Sequence, residues 1–115
     1  MNLLEETIEV MVQHNKTECD VLWVGSGRGE YEIGWNKFKS IADFGYDGGF
    51  GGQEIAKDLV VVGKDWWLER HEYDGSEWWE FKTLPLAKEN TKCFNKIESS
   101  NSWETLSEIN NEKEA

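Results

Sequence analysis

The chain has 115 residues, of which 38% are hydrophobic and 13% aromatic, and its net charge is −11. The aromatic content argues against disorder for most of the chain, and no apolar run reaches half the ~20 residues of a membrane span. The excess of acid repels nucleic acid and anionic membranes, and it attracts basic protein surfaces.

An amphipathic helix is predicted at the N-terminus and should end near His14. Its apolar face is formed by residues at three- and four-residue steps, namely Leu3, Leu4, Thr7, Ile8, Met11 and Val12. The same segment contains three glutamates and no basic start, so it is not a signal peptide. We therefore expect a cytoplasmic location.

A β-hairpin is predicted next. The run from Asp20 to Gly25 is rich in strand-forming residues, Ser26–Gly29 has turn composition, and Glu30–Ile33 returns as a strand.

The turn of this hairpin also resembles the first motif of methyltransferases that use S-adenosylmethionine. Gly25, Gly27 and Gly29 match the G-x-G-x-G loop of that motif, but Trp23 stands where the family has an acid. A strand follows where that fold needs a helix, and the chain is too short for a doubly wound sheet. A glycine-rich hairpin turn is the preferred interpretation.

The middle of the chain predicts a second, shorter helix and then a loop. The apolar face of the helix contains Trp35, Phe38, Ile41, Ala42 and Phe44. Gly45–Gly52 has five glycines in eight residues, which disfavours both helix and strand. Gln53–Lys57 is predicted to form a helical turn.

Three antiparallel strands complete the predicted fold. Leu59–Val62 is expected to be central because it is apolar on both faces, and Asp74–Gly75 is a strong turn signal between Trp66–Tyr73 and Glu77–Thr83. The sequence thus predicts an α+β fold: an antiparallel sheet of about five strands, with the N-terminal helix and the second short helix packed on one face. Residues 1–85 should form this domain and residues 86–115 a polar, weakly ordered tail. Within the tail, Trp103, Leu106 and Ile109 suggest one short amphipathic turn.

A two-residue turn at Asp74–Gly75 fixes which side chains share a face of the final hairpin. The core side should contain Trp66, Leu68, Arg70, Trp79 and Phe81, with Arg70 over the ring of Trp79 as a cation–π contact. In this register Glu69 opposes Glu80 and Glu72 opposes Glu77, and such like-charge pairs destabilise a sheet unless a cation relieves them. A longer turn would shift the register and pair Arg70 with Glu80 instead. Either helix could cover the face that carries Trp67 and Trp78, so the sequence favours neither burial nor exposure of these two side chains.

The hairpin is the candidate partner-binding site, because tryptophans rimmed by charge are common in protein interfaces. The candidate residues are Trp67, Glu69, His71, Glu72, Tyr73, Asp74, Glu77, Trp78 and Glu80. The predicted partner is a basic protein surface, and neither nucleic acid nor a membrane is expected to bind directly.

No motif for catalysis, metal or cofactor stands out. Cys19 and Cys93 lie far apart without a second ligand at zinc spacing, and we interpret them as free thiols. His71 among the hairpin acids could support a small enzyme, and tryptophans beside carboxylates could bind a sugar. We predict no enzyme activity, no metal and no cofactor.

In size, acidity and its Trp-Trp…Trp-Trp hairpin, the body of the chain resembles small phage- or mobile-element-encoded inhibitors of the anti-CRISPR kind. The resemblance covers residues 1–85 and is one of overall character. Because some of those inhibitors act as DNA mimics, it implies a nuclease or another nucleic-acid-binding protein as target. An immunity or antitoxin-like protein that neutralises a basic toxin is the alternative with the same physics.

Overall fold

The structure is a computed structural model that describes residues 1–49, 51–85, 92–100 and 102–110. The chain divides into two compact units, Met1–Leu84 and Pro85–Ala115. The weak order predicted for residues 86–115 stays a prediction, and residues 86–91, 101 and 111–115 lie outside the described part.

The first unit is an α+β fold, as the sequence predicted. Its elements in chain order are α1 (Leu3–Gln13), a 3-10 helix (Glu18–Asp20), β1 (Trp23–Ser26), β2 (Glu32–Ile33), α2 (Trp35–Ile41), β3 (Leu59–Val62), β4 (Trp66–Tyr73) and β5 (Ser76–Thr83). The strands form one antiparallel sheet in the order β2-β1-β3-β4-β5, so β3 is central, as predicted.

The core lies on one face of this sheet. Val24, Val61 and Leu68 are fully buried and lie side by side in the register of β1, β3 and β4. Both helices pack there: Thr7 of α1 accepts a hydrogen bond from the indole of Trp79, and Phe38 of α2 belongs to the same core cluster. The expectation of two helices on one face is therefore confirmed.

The β4–β5 hairpin has the predicted register. Arg70 pairs with Trp79 and Glu69 with Glu80, as a two-residue turn requires. Asp74 and Gly75 both have positive φ, 52° and 86°, which is the backbone of the turn that suits the twist of a hairpin. The predicted core side is also confirmed, because Trp66, Leu68, Arg70 and Trp79 are buried and Phe81 is partly buried.

Two other predictions need correction. The second helix ends at Ile41, and Ile41 and Phe44 are exposed rather than part of its buried face. Gln53–Lys57 is not a helical turn, because the backbone N–H groups of Glu54 and Ile55 bond to a carboxylate on β5 instead of to a preceding turn.

The glycine triplet Gly25, Gly27 and Gly29 lies in the hairpin of β1 and β2. The Ser26 hydroxyl accepts hydrogen bonds from the N–H groups of Glu30 and Tyr31, which closes the turn. Strand β2 follows, so the strand–loop–helix arrangement of a methyltransferase is not formed here.

The second unit contains a short helix, α3 (Leu106–Asn110), close to the predicted amphipathic turn. Trp103 precedes it and is 97% exposed. Cys19 and Cys93 are both free cysteines with exposed side chains.

Candidate protein-binding surface

The sheet face turned away from α1 and α2 brings together most of the candidate site. We call it the outer face, and define it by the alternating side chains that point away from the core: Trp23, Val60, Val62, Trp67, Glu69, His71, Tyr73, Trp78, Glu80 and Lys82. Helices α1 and α2 both pack against the opposite face of the sheet. Trp67 and Trp78 are half-buried among their neighbours on this face.

Each strand of the hairpin repeats the same three-part arrangement on the outer face. On β4, the indole N–H of Trp67 donates to Glu69 at 2.7 Å, and the Nε2 of His71 lies 2.8 Å from the other oxygen of Glu69. On β5, the indole of Trp78 donates to Glu80 at 2.7 Å.

The third part on β5 is Lys82, whose Nζ lies 3.8 Å from Glu80. A carboxylate is thus flanked by an indole donor two residues before it and a basic side chain two residues after it, in both strands.

This arrangement offsets part of the like-charge repulsion between Glu69 and Glu80 within the hairpin itself. Glu69 and Glu80 do oppose each other, but each has its own donor and its own base along its own strand. The hydrogen bond from Trp67 lowers the pKa of Glu69, and His71 and Lys82 add to this effect. Glu69 is therefore held charged on the surface. The side chains of Glu69 and Glu80 keep 34% and 40% exposure.

The tip of the hairpin carries three more candidate residues. Tyr73 is 76% exposed and Asp74 is exposed at the turn. Glu72 is exposed but points to the other side of the hairpin, where its carboxylate accepts the N–H of Gly75 at 2.9 Å. Glu72 therefore lies beside the outer face and not within it.

Glu77 does not lie on the surface, in contrast to the sequence prediction. Its side chain is fully buried and accepts a hydrogen bond from Nη2 of Arg70 at 2.8 Å. The same carboxylate accepts the N–H groups of Glu54 at 2.7 Å and Ile55 at 3.3 Å. A partner cannot reach it, so we remove Glu77 from the candidate surface.

Glu77 instead fastens the glycine-rich loop to the sheet edge. Its backbone N–H donates to the carbonyl of Gly48, while its carboxylate holds the chain after the loop. Gly75 approaches Gly51 so closely that an added Cβ would lie 2.6 Å from the carbonyl oxygen of Gly51. The loop and the hairpin tip are thus joined at two places.

Arg70 is the centre of the buried polar cluster under the hairpin. Its Nη2 also donates to the hydroxyl of Tyr46 at 3.1 Å, and that hydroxyl donates in turn to Glu6 of α1. Its guanidinium carbon lies 4.8 Å from the centroid of the Trp79 ring, which confirms the predicted cation–π contact. The Nε and Nη1 of Arg70 have no hydrogen-bond partner among the described residues, although Nη1 lies 3.6 Å from Glu6.

Burial and hydrogen bonding shift the pKa of Arg70 in opposite directions. Burial alone would lower the pKa of Arg70, but the hydrogen bonds to Tyr46 and Glu77 raise it above its ordinary value. Burial, together with the hydrogen bond to Glu6, raises the pKa of Tyr46 to about 12. The cluster therefore keeps Arg70 charged and Tyr46 protonated, as its hydrogen bonds require.

A groove beside the hairpin extends the outer face across the sheet. It has a volume of about 310 Å³ and is lined by Trp23, Gly27, Val60, Val62, Trp67 and Glu69. The sequence interpretation missed Trp23 and the two valines, because their approach to Trp67 depends on the long-range pairing of β1, β3 and β4. Lys82 was also missed, although its spacing from Glu80 repeats that of His71 from Glu69.

Within the described ranges, no three His, Cys, Asp or Glu side chains are placed to hold a metal ion. Among the same residues, no helix combines the length and the apolar character that crossing a bilayer requires. No protein-family model, curated protein or solved structure matches the chain.

Proposed function

We propose that this chain is a non-enzymatic acidic binding protein that engages and inhibits a basic, nucleic-acid-binding protein. The observation that carries the proposal is the outer face itself. It is the sheet surface opposite α1 and α2, and it combines half-exposed Trp67 and Trp78 with the charged Glu69 and Glu80.

The chemistry of this face suits a protein partner with cationic side chains. Tryptophan side chains supply large contact area for little loss of conformational entropy, and they are enriched among the residues that dominate binding energy. The carboxylates and the net charge of −11 would steer a basic partner towards the face and speed its association.

A nucleic-acid-binding target follows from the same charges. A protein that holds DNA or RNA presents lysine and arginine to phosphate groups, and an acidic sheet can occupy that surface in place of the phosphates. This is the mode of action implied by the resemblance to phage-encoded inhibitors of the anti-CRISPR kind. An immunity protein that neutralises a basic toxin would use the same contacts.

A capture experiment tests the proposal. The chain is immobilised, a cell lysate is passed over it at increasing salt, and the bound proteins are identified by mass spectrometry. We expect a basic protein that elutes as salt rises, that is displaced by added duplex DNA or RNA, and that loses its nucleic-acid binding when the free chain is added. A captured protein whose nucleic-acid binding is unaffected would contradict the inhibitory function.

Charge reversal on the outer face provides the matched comparison. Glu69→Lys combined with Glu80→Lys should abolish capture and leave the fold intact, because both side chains lie away from the core. The control is Glu5→Lys combined with Glu9→Lys on the exposed side of α1, which changes the net charge equally. If both variants lose binding to the same degree, net charge and not the outer face is responsible.

The groove favours one second candidate, a sugar-binding module. Trp23 and Trp67 line it with apolar ring surface, and Glu69 adds a hydrogen-bond acceptor at its edge. Sugars bind such sites by stacking a pyranose ring on an indole. Retention of the chain on a panel of immobilised glycans, lost in Trp67→Ala and kept in Trp103→Ala, would support this function over the protein-binding one.

A further inference from the structure

A larger cavity lies on the other side of the sheet, away from the outer face. It has a volume of about 450 Å³ and opens between α2, the β1–β2 hairpin and the segment that leads into β3. None of its lining residues belongs to the outer face. Its volume falls in the range of pockets that hold small organic molecules, about 300 to 1,000 Å³.

The cavity has an apolar floor and an apolar mouth. Val24, Phe38 and Ile55 form part of the floor and are almost completely buried. Ile41 and Phe44 line the mouth and leave 57% and 44% of their surface exposed. These are the residues that the sequence assigned to the buried face of the second helix, so their exposure leaves an apolar rim that a ligand can cover.

The charges around the cavity have one sign. Glu32, Glu54 and Asp58 are among its lining residues, and no lysine, arginine or histidine is among those described. Apolar walls attract an apolar group, and the carboxylates favour a positive charge near it. They disfavour anions such as fatty acids.

We propose that this cavity binds a small organic cation, consisting of an apolar body with an attached ammonium group. The apolar body would occupy the space above Val24 and Phe38, and the ammonium group would stay near Glu54 and Asp58 at the solvent side. This site is independent of the proposed function, because it uses a different side of the sheet and needs no protein partner.

Three probes of nearly equal shape test the proposal: phenylbutylamine, phenylbutanol and phenylbutyrate. Each is titrated into the full ¹⁵N-labelled chain, and amide shifts are followed by NMR. We expect the amine to bind most tightly and the carboxylate least, with shifts at cavity amides such as those of Ile33, Ala42 and Leu59. Shifts elsewhere, absence of binding by all three probes, or equal affinity of amine and alcohol would overturn the proposal.

Removing the carboxylates separates the charge effect from apolar binding. Glu54→Gln combined with Asp58→Asn should weaken the amine by roughly two- to tenfold and leave the alcohol unchanged, as expected for two exposed charges. The backbone carbonyl of Asp58, which accepts the N–H of Gly27, is kept in this variant. The control, Glu9→Gln combined with Asp65→Asn, removes two exposed acids outside the cavity and should change neither affinity. An equal loss in both variants would overturn the assignment of the charge to the cavity.

A cation placed at the mouth should reverse the preference. Ile41→Lys puts an ammonium group beside the cavity at an exposed helical position. Val12→Lys is the control: it adds the same charge on α1, where the side chain is 64% exposed and does not line the cavity. We expect Ile41→Lys to prefer phenylbutyrate over phenylbutylamine and Val12→Lys to keep the original order. An unchanged order in Ile41→Lys would contradict binding at this site.

Discussion

A glutamate side chain is buried on one face of the β4–β5 hairpin and exposed on the other. On the core side, the carboxylate of Glu77 is fully buried and bonded to Arg70, and it also holds two backbone N–H groups. On the outer face, three residues further along the same strand, the carboxylate of Glu80 is 40% exposed and bonded to an indole and a lysine. Burial, and not the number of partners, therefore separates a structural glutamate from one that a partner can reach.

Removing a carboxylate should therefore cost a different free energy of unfolding on the two faces. Breaking a buried pair by removing one member costs about 3–5 kcal/mol, because the other charge stays buried without compensation. An exposed pair contributes only about 0.2–1 kcal/mol, since water and salt replace the lost contact.

The largest expected effect is that of Glu77→Ala. This variant should lower the free energy of unfolding by about 3–5 kcal/mol, because it leaves the more distant Glu6 as the remaining carboxylate partner of Arg70 and releases the glycine-rich loop. Glu80→Ala is the matched control and should cost less than about 1 kcal/mol. Urea unfolding followed by tryptophan fluorescence measures both, and equal losses would refute the difference between the faces.

The protonated Tyr46 should make stability fall at high pH. Its pKa is raised from 10.0 to about 12 in the folded chain, so the folded state keeps a proton that the unfolded state loses. The corresponding stability is present below pH 10 and is lost as pH rises through about 12, a change of roughly 2–3 kcal/mol. Tyr46→Phe should be less stable at neutral pH, but its unfolding midpoint should decline less over this interval. Parallel pH profiles for the two proteins would show that Tyr46 does not titrate in this way.

The indole N–H groups of Trp79 and Trp78 also lie on the core side and the outer face, and removing their acceptors should have a smaller effect on stability. In the core, Trp79 donates to the hydroxyl of Thr7 at 2.9 Å, and Thr7 is completely buried. Thr7→Val should cost about 1–2 kcal/mol, because it leaves a buried donor unsatisfied. Glu80→Gln removes the charge that accepts from Trp78 on the outer face and should cost less, since water can reach that site. Calorimetric unfolding compares the two, and a larger loss in Glu80→Gln would contradict the argument.

The smallest effect concerns one pKa on the outer face. The hydrogen bond from Trp67 is the main cause that lowers the pKa of Glu69. Trp67→Phe should therefore move this pKa back towards its ordinary value, whereas Trp78→Phe should leave it unchanged. An NMR titration of the Glu69 side-chain carboxyl carbon measures both, and a shift of equal size in the two variants would mean that the indole bond is not the cause.

The sequence was sufficient for the hairpin because the decisive interactions are local. Asp74–Gly75 determines the turn, the turn determines the register, and the period of two then assigns each side chain to a face. The buried side of Trp66, Leu68 and Trp79 followed from this reasoning.

The burial of Glu77 could not be predicted in this way, because its partners are distant in the sequence. Alternation correctly places it on the side of Arg70, but its burial depends on the loop that brings the N–H groups of Glu54 and Ile55 to the sheet edge. Trp23 in the groove and Ile41 at the cavity mouth depend likewise on distant elements, and no pattern within their own segments indicates those contacts.

The repeated arrangement of indole, carboxylate and base has a geometrical consequence. The two strands run in opposite directions and Glu69 faces Glu80, so an approximate two-fold axis passes between these carboxylates and exchanges Trp67 with Trp78 and His71 with Lys82. A partner that contacts only the two tryptophans and the two glutamates would fit nearly equally well after a half-turn. Trp23, Val60 and Val62 continue the surface on one side only, so they would be needed to fix a single orientation.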